Sequence, residues 1–161
     1  MAETRIETGK QGTFAIESDP RGSALNLFAD SSALAKRYIA DETSDDFDEL
    51  LRQATSLSVS ALCLPEIISA LCRRKRERTL TPAQYAAAKS ALESDLADAT
   101  TIQLTDEVLL GCVRLLESNP LRSSDAIQIA SALVWQSDTF VSADARQCAA
   151  ARISGLSVIK L

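Results

Sequence analysis

Ala24-Leu25-Asn26-Leu27-Phe28-Ala29-Asp30-Ser31-Ser32-Ala33-Leu34-Ala35-Lys36-Arg37-Tyr38 reads as a short apolar strand, an acid at its end, and the opening of a helix. The apolar run stops at Ala29, and Ala33 to Ala40 is compatible with a helix. The same unit recurs along the chain. Leu57 to Ser60 is a β-like run, and a helix follows from near Pro65, a residue suited to a first turn, with Leu64, Ile67, Ile68 and Leu71 at core-facing spacing. Thr101 to Leu104, Thr139 to Ser142 and Leu156 to Ile159 are further short strands. Ser44 to Ala54 is an acidic helix with Phe47, Leu50 and Leu51 on one stripe. Thr81-Pro82 opens an alanine-rich helix to about Asp98, and Thr105 caps another through Leu116. After the break at Asn119-Pro120, Ser123 or Ser124 caps a helix carrying Ile127, Ala130, Leu133 and Val134, and Ala145 to Ile153 is the last helix. Short strands alternating with amphipathic helices mean parallel β-α-β units. The expected fold is therefore α/β: an α/β/α sandwich around a central parallel sheet of four or five short strands.

The 161 residues, 46% hydrophobic and 24% charged, suit one compact domain. Residues 1–23 are polar and read as a leader, or as an expression-derived extension ending in Pro20-Arg21-Gly22-Ser23; residues 24–161 form the domain. No apolar stretch approaches the roughly 20 residues that span a bilayer, and Met1 to Lys10 lacks a secretory core. A cytoplasmic address without a membrane is the expectation.

Composition also excludes chemistry. The chain has no histidine, which removes the Ser-His-Asp and Cys-His nucleophile systems. Cys63, Cys72, Cys112 and Cys148 form no C-x-x-C pair, so zinc is poorly supported and buried free thiols are expected. Hydrolysis here must run on carboxylates, lysine or a metal. The net charge of −5 opposes polyanion binding by the whole surface, leaving Arg73-Arg74-Lys75-Arg76-Glu77-Arg78 as the concentrated basic segment. Asp41-Glu42 and Asp45-Asp46-Asp48-Glu49 read as a solvated face, and Tyr85 and Trp135 as packing residues.

In open parallel sheets, ligands bind where strands end and helices begin. Asp30 follows the first strand, Glu66 starts the helix after the second, Asp125 lies in the first turn of its own helix, and Asp144 follows the strand Thr139 to Ser142. Any one of them is explained by helix capping, worth about 0.5–1 kcal/mol. Four carboxylates at one edge are not, because they repel unless a cation joins them. Magnesium or manganese, which prefer carboxylate oxygen and water, suit that position.

The segments around these acids resemble a known family. Phe28-Ala29-Asp30-Ser31-Ser32-Ala33-Leu34-Ala35-Lys36-Arg37-Tyr38 is similar to the opening of the PIN-domain nucleases. Val59 to Leu71, with Glu66, resembles their second motif, and Leu121 to Leu133, with Asp125, their third. Phe140-Val141-Ser142-Ala143-Asp144 and Gly155-Leu156-Ser157-Val158-Ile159 resemble the fourth motif and the closing strand. The resemblance covers about residues 24 to 161 and is nearest to the toxins of VapBC-type toxin–antitoxin pairs. It implies magnesium- or manganese-dependent cleavage of RNA, a homodimer, and a cognate antitoxin partner. In two places the sequence departs from the family: Gln128 stands where many relatives carry histidine, and Ala145 leaves no second acid directly after Asp144.

The expected mechanism gives Asp30 and Asp125 the principal metal contacts, with Glu66 and Asp144 completing the site directly or through water. Ser32 and Ser142 are candidates to orient carboxylates, although turn and cap hydrogen bonding explains them equally. Lys36, Arg73, Arg74 and Arg122 are candidate RNA or antitoxin contacts, against the alternative that Arg73 and Arg74 merely complement a helix C-terminus. A catalytically inactive PIN-like module that binds RNA or protein is the rival reading. A phosphoaspartate phosphatase is disfavoured because Ser32 occupies the place of its second acid, and a receiver domain because its paired acidic cluster is missing.

Overall fold

A computed structural model describes residues 25–39 and 44–161. The readings of residues 1–23, of Ala40 and of Asp41-Glu42 lie outside the described residues. The elements are β1 (Asn26–Ala29), α1 (Ser31–Ala35), α2 (Ser44–Gln53), β2 (Ser56–Ser60), α3 (Cys63–Arg76), α4 (Pro82–Asp98), β3 (Thr100–Ile102), α5 (Asp106–Ser118), α6 (Ser123–Val134), β4 (Thr139–Ser142), α7 (Ala145–Ile153) and β5 (Ser157–Lys160).

The five strands form one parallel sheet in the order β3-β2-β1-β4-β5. From β1 the chain moves outward through β2 to β3, then returns across the sheet to β4 and β5. Right-handed crossovers place the helices of the two halves on opposite faces. The period of two along each strand serves both layers. Leu27, Ala29 and Val141 join Leu34, Phe47, Leu51, Ile67, Leu71 and Leu92 of α1–α4 in one buried cluster. Phe28 and Phe140 join Val108, Leu115, Ala126, Ile129 and Ala151 of α5–α7 in the other. Paired in register, the Phe28 and Phe140 rings stack with centroids 5.7 Å apart. The strand order reverses between β1 and β4, so the crevice at their carboxyl ends is where such a sheet receives a ligand.

Several boundaries differ from expectation for local reasons. Helix α1 begins at Ser31, because Asp30 caps it, and tightens after Ala35 into i−3 hydrogen bonds from Lys36, Arg37 and Tyr38. Helix α3 starts at Cys63, two residues before Pro65; the missing proline N–H falls among the helix's first free amides and costs nothing there. The cap of α6 is the backbone of Arg122, with no side-chain capping bond from Ser123 or Ser124, which lie inside its first turn. Cys63, Cys112 and Cys148 are buried free thiols, whereas Cys72 is half-buried. Trp135 is 45% exposed and is not a core residue.

Two features fix the first layer. The Thr81 hydroxyl accepts from the Gln84 N–H, and the Gln84 side chain accepts from the Thr81 N–H, closing a capping box on α4. Thr81→Ala is expected to cost about 1 kcal/mol in urea unfolding, with no change in secondary-structure content. At the other end of α4, Asp95 accepts from Arg37 Nη1 at 2.5 Å and Tyr38 Oη at 2.6 Å, while Arg37 Nε also pairs with Asp48 at 2.8 Å. This network ties the chain after α1 to α4 and α2. Among the described residues, no helix is long and apolar enough to cross a membrane.

Candidate metal centre

The site begins where β1 runs out. The Asp30 N–H donates to the Val141 carbonyl at 3.0 Å, carrying the β1–β4 pairing one residue past the strand. This step lays the Asp30 side chain beside Ser142. Its carboxylate accepts from the Ala33 N–H at 2.8 Å, from Ser32 Oγ at 2.9 Å and from Ser142 Oγ at 2.8 Å. Ser32 Oγ stands at 2.9 Å from both carboxylate oxygens, so each oxygen meets two donors. Asp30 is only 2% exposed. Burial pushes its pKa up to about 6; the Ala33, Ser142 and Ser32 bonds pull it down, and the charge of Glu66 raises it.

Ser32 and Ser142 are held in turn by the loop after β4. The Ala143 N–H donates to Ser32 Oγ, and the Asp144 N–H to Ser142 Oγ, both at 3.0 Å. Asp144 then caps α7, its Oδ1 accepting from the Arg146 and Gln147 N–H groups at 2.8 and 2.9 Å. Glu66, in the first turn of α3, comes from the other side of β1. Its Oε2 accepts from Ser31 Oγ at 2.5 Å and from Gln128 Nε2 at 2.8 Å.

Asp125 lies in the first turn of α6. Burial raises its pKa, the Arg122 N–H and the Arg122 charge lower it, and the charges of Asp144 and Glu66 raise it. Asp30 feels Glu66, and Asp125 feels both Asp144 and Glu66. Glu66 thus lies within the field of both Asp30 and Asp125, and Asp144 within that of Asp125. Burial also pushes the neighbouring Cys63 thiol to about 12, which keeps it protonated at neutral pH.

The basic residues are less gathered. Arg122 reaches the field of Asp125, and Lys36 follows α1 half-buried. Exposed Arg73 and half-buried Arg74 stand in the last turn of α3, about two helical turns beyond Glu66.

The PIN domain family model matches residues 27–153, most of the described chain. The chain belongs to the PIN domain family. Its fold is similar to Mycobacterium tuberculosis VapC20, a sarcin-ricin loop cleaving toxin, at 16% identity and TM-score 0.64, over 84% of this chain and 99% of that one. A toxin–antitoxin complex from Klebsiella pneumoniae gives 16% identity and TM-score 0.60 over 86% and 97%. PAE2754 from Pyrobaculum aerophilum gives 21% and 0.59 over 83% and 89%. Comparison with curated protein sequences finds no match.

Within this PIN domain, Ser31 and Gln147 are site residues that the sequence reading missed, and Gln128 it noted only as a departure. Gln128 and Gln147 each stand three residues after an acid, in Asp125-x-x-Gln128 and Asp144-x-x-Gln147. That spacing reads as half of a capping box. Here, however, the Asp144 N–H is already taken by Ser142, and the Gln147 side chain turns inward to Ser142 Oγ at 3.1 Å and the Asp125 carbonyl at 3.3 Å. A buried glutamine on the core side of a helix start was the available signal.

The chemistry of the donor set suits a hard divalent ion. It is all oxygen, it holds a buried acid whose pKa burial raises, and the buried Gln128 Oε1 has no partner. Among the described residues, no group of three or more acids or thiols is arranged to hold an ion directly. Magnesium asks for less, commonly one or two carboxylates with water completing its shell.

Proposed function

We propose that this PIN domain is a magnesium- or manganese-dependent endoribonuclease, the toxin of a toxin–antitoxin pair. The observation that carries the reading is the hydrogen-bond network at the crevice between β1 and β4, which joins Asp30 and the Asp144 N–H through Ser142, Glu66 to Gln128 of α6, and the Asp125 carbonyl to Gln147. These residues would hold the ion, Asp30 and Asp125 most directly, with Glu66 and Asp144 acting directly or through water. Once bound, the ion supplies charge neutralisation at the scissile phosphate and a water acidic enough to attack it.

The chain's own residues prepare that chemistry. Ser32, Ser142 and the Ala33 N–H fix the Asp30 carboxylate in one orientation. Capping holds Asp144 at the start of α7. With no histidine in the chain, a proton released from the attacking water passes to a carboxylate or to solvent. Arg122, beside Asp125, is placed to meet an RNA phosphate; Lys36, Arg73 and Arg74 extend the contact to RNA or antitoxin. A cognate antitoxin, a homodimer and a cytoplasmic setting complete the reading, which draws support from the toxin–antitoxin assemblies that share the fold.

The test is cleavage of end-labelled transfer, ribosomal and messenger RNA by the full chain. We expect cleavage in magnesium or manganese, none in EDTA, and recovery when the ion is restored. Cleavage that persists in EDTA contradicts the proposal. RNA binding without cleavage in either ion instead supports a non-catalytic module.

A further inference from the structure

We infer that Gln128 is the positioning residue for Glu66, and that its bare side-chain oxygen is the acceptor for one water of the bound ion. The inference rests on the proposed metal site and assigns a role within it.

Gln128 is only 2% exposed. Its Nε2 spends both protons inside the site, one on Ser31 Oγ at 2.7 Å and one on Glu66 Oε2 at 2.8 Å. Ser31 Oγ gives its single proton to the same Glu66 oxygen. Three hydrogen bonds thus close a ring joining the starts of α1, α3 and α6, with two donors aimed at one carboxylate oxygen. The orientation of the amide follows from chemistry, since only its nitrogen can face a carboxylate.

That orientation leaves Oε1 buried and without a partner. A buried acceptor left bare is costly, and no hydrogen bond within the protein satisfies this one. Oε1 shares a carbon with the nitrogen that touches Glu66, so it lies on the acidic end of the sheet. A hydrated divalent ion brings polarised water protons to such a place. A neutral amide can accept one of them without adding to the negative charge already gathered there.

The test is the affinity of the full chain for Mn2+ alone, read from the electron paramagnetic resonance of the free ion, for the parent, Gln128→Leu and Gln128→Asn. Leucine removes both ends of the amide, and asparagine withdraws it by one methylene. Each is expected to weaken Mn2+ binding about 10- to 100-fold, while melting in EDTA shows that the variant is folded. Should Gln128→Leu fail to fold, Gln128→Asn carries the test. Variants that bind Mn2+ within twofold of the parent overturn the inference, even if their EDTA melting temperature falls, because that pattern belongs to a purely structural residue. A parent that binds no Mn2+ overturns the proposed function and this inference with it. A parent that binds while both variants bind equally well overturns this inference alone.

Discussion

Asp30→Asn is expected to abolish RNA cleavage and, in the same protein stripped of metal, to raise stability at neutral pH. The loss of activity follows from removing the charge of a principal ligand, and should reach at least the order of 10²–10³-fold. The gain in stability follows from burial. Folding lifts the Asp30 pKa from 3.8 to about 6, so between those values the folded chain binds more protons than the unfolded one. Stability therefore falls as pH rises through that window, and above it the ionised side chain carries a penalty of up to about 3 kcal/mol. Asparagine escapes the penalty and keeps the bonding. Its Oδ1 still accepts from the Ala33 N–H, and its Nδ2 donates to Ser142 Oγ, whose proton turns to Gln147 Oε1 at 3.1 Å. Thermal melts in EDTA at pH 7.5 should show Asp30→Asn higher by several degrees, with the difference shrinking as pH falls through 6. Equal melting temperatures at pH 7.5 would show that the carboxylate is not buried as described.

Asp95→Ala should be the most destabilising surface-distant charge change in the chain. Arg37 and Asp95 have side chains 15% and 12% exposed, and Tyr38 Oη donates to the same carboxylate oxygen at 2.6 Å. Removing Asp95 deletes charge-assisted hydrogen bonds from Arg37 and Tyr38 and, with Asp48 still on Arg37, should cost about 2–4 kcal/mol. For a domain of this size that lowers the melting temperature by roughly 4–16 °C. Tyr38→Phe, which deletes one hydrogen bond and keeps the ion pair, should cost only about 1 kcal/mol. Because the network holds the chain after α1, which Asp30 caps, cleavage by Asp95→Ala should fall mainly through loss of folded protein. A melting temperature within 2 °C of the parent would mean that Arg37 is satisfied without Asp95.

The sheet was legible because its signals are local and repeated. A short strand, an acid and a helix recur at β1 and again at β4, and parallel strands follow from that alternation. Boundaries were less legible. The expected start of α3 near Pro65 and the capping of α6 by serine both assumed that the residue best suited to a cap would be the cap; instead α3 begins at Cys63 and α6 at Ser123, behind the backbone of Arg122. The positions of the four acids were readable one by one: Asp30, Glu66 and Asp144 stand at strand-to-helix junctions, and Asp125 in the first turn of a helix that follows another helix. What holds them was not. Ser31, Gln128 and Gln147 contact acids 35, 62 and 22 residues away in sequence, and no spacing rule connects residues that meet only after folding. The exposure of Trp135 was equally hidden, because an aromatic residue at the end of a helix gives no sign of which way it faces.

The central claim is that one divalent ion is shared by carboxylates from four separate elements. Calorimetric titration of the full chain with Mn2+ tests it most directly, comparing the parent with Asp30→Asn, Glu66→Gln, Asp125→Asn and Asp144→Asn. Asp138→Asn is the control, since Asp138 bonds the Asn26 N–H at the opposite end of the sheet. We predict that the parent and Asp138→Asn bind alike and that all four site variants bind at least tenfold more weakly. Binding that survives any pair of the four substitutions, or that is lost with Asp138→Asn, would contradict the shared site.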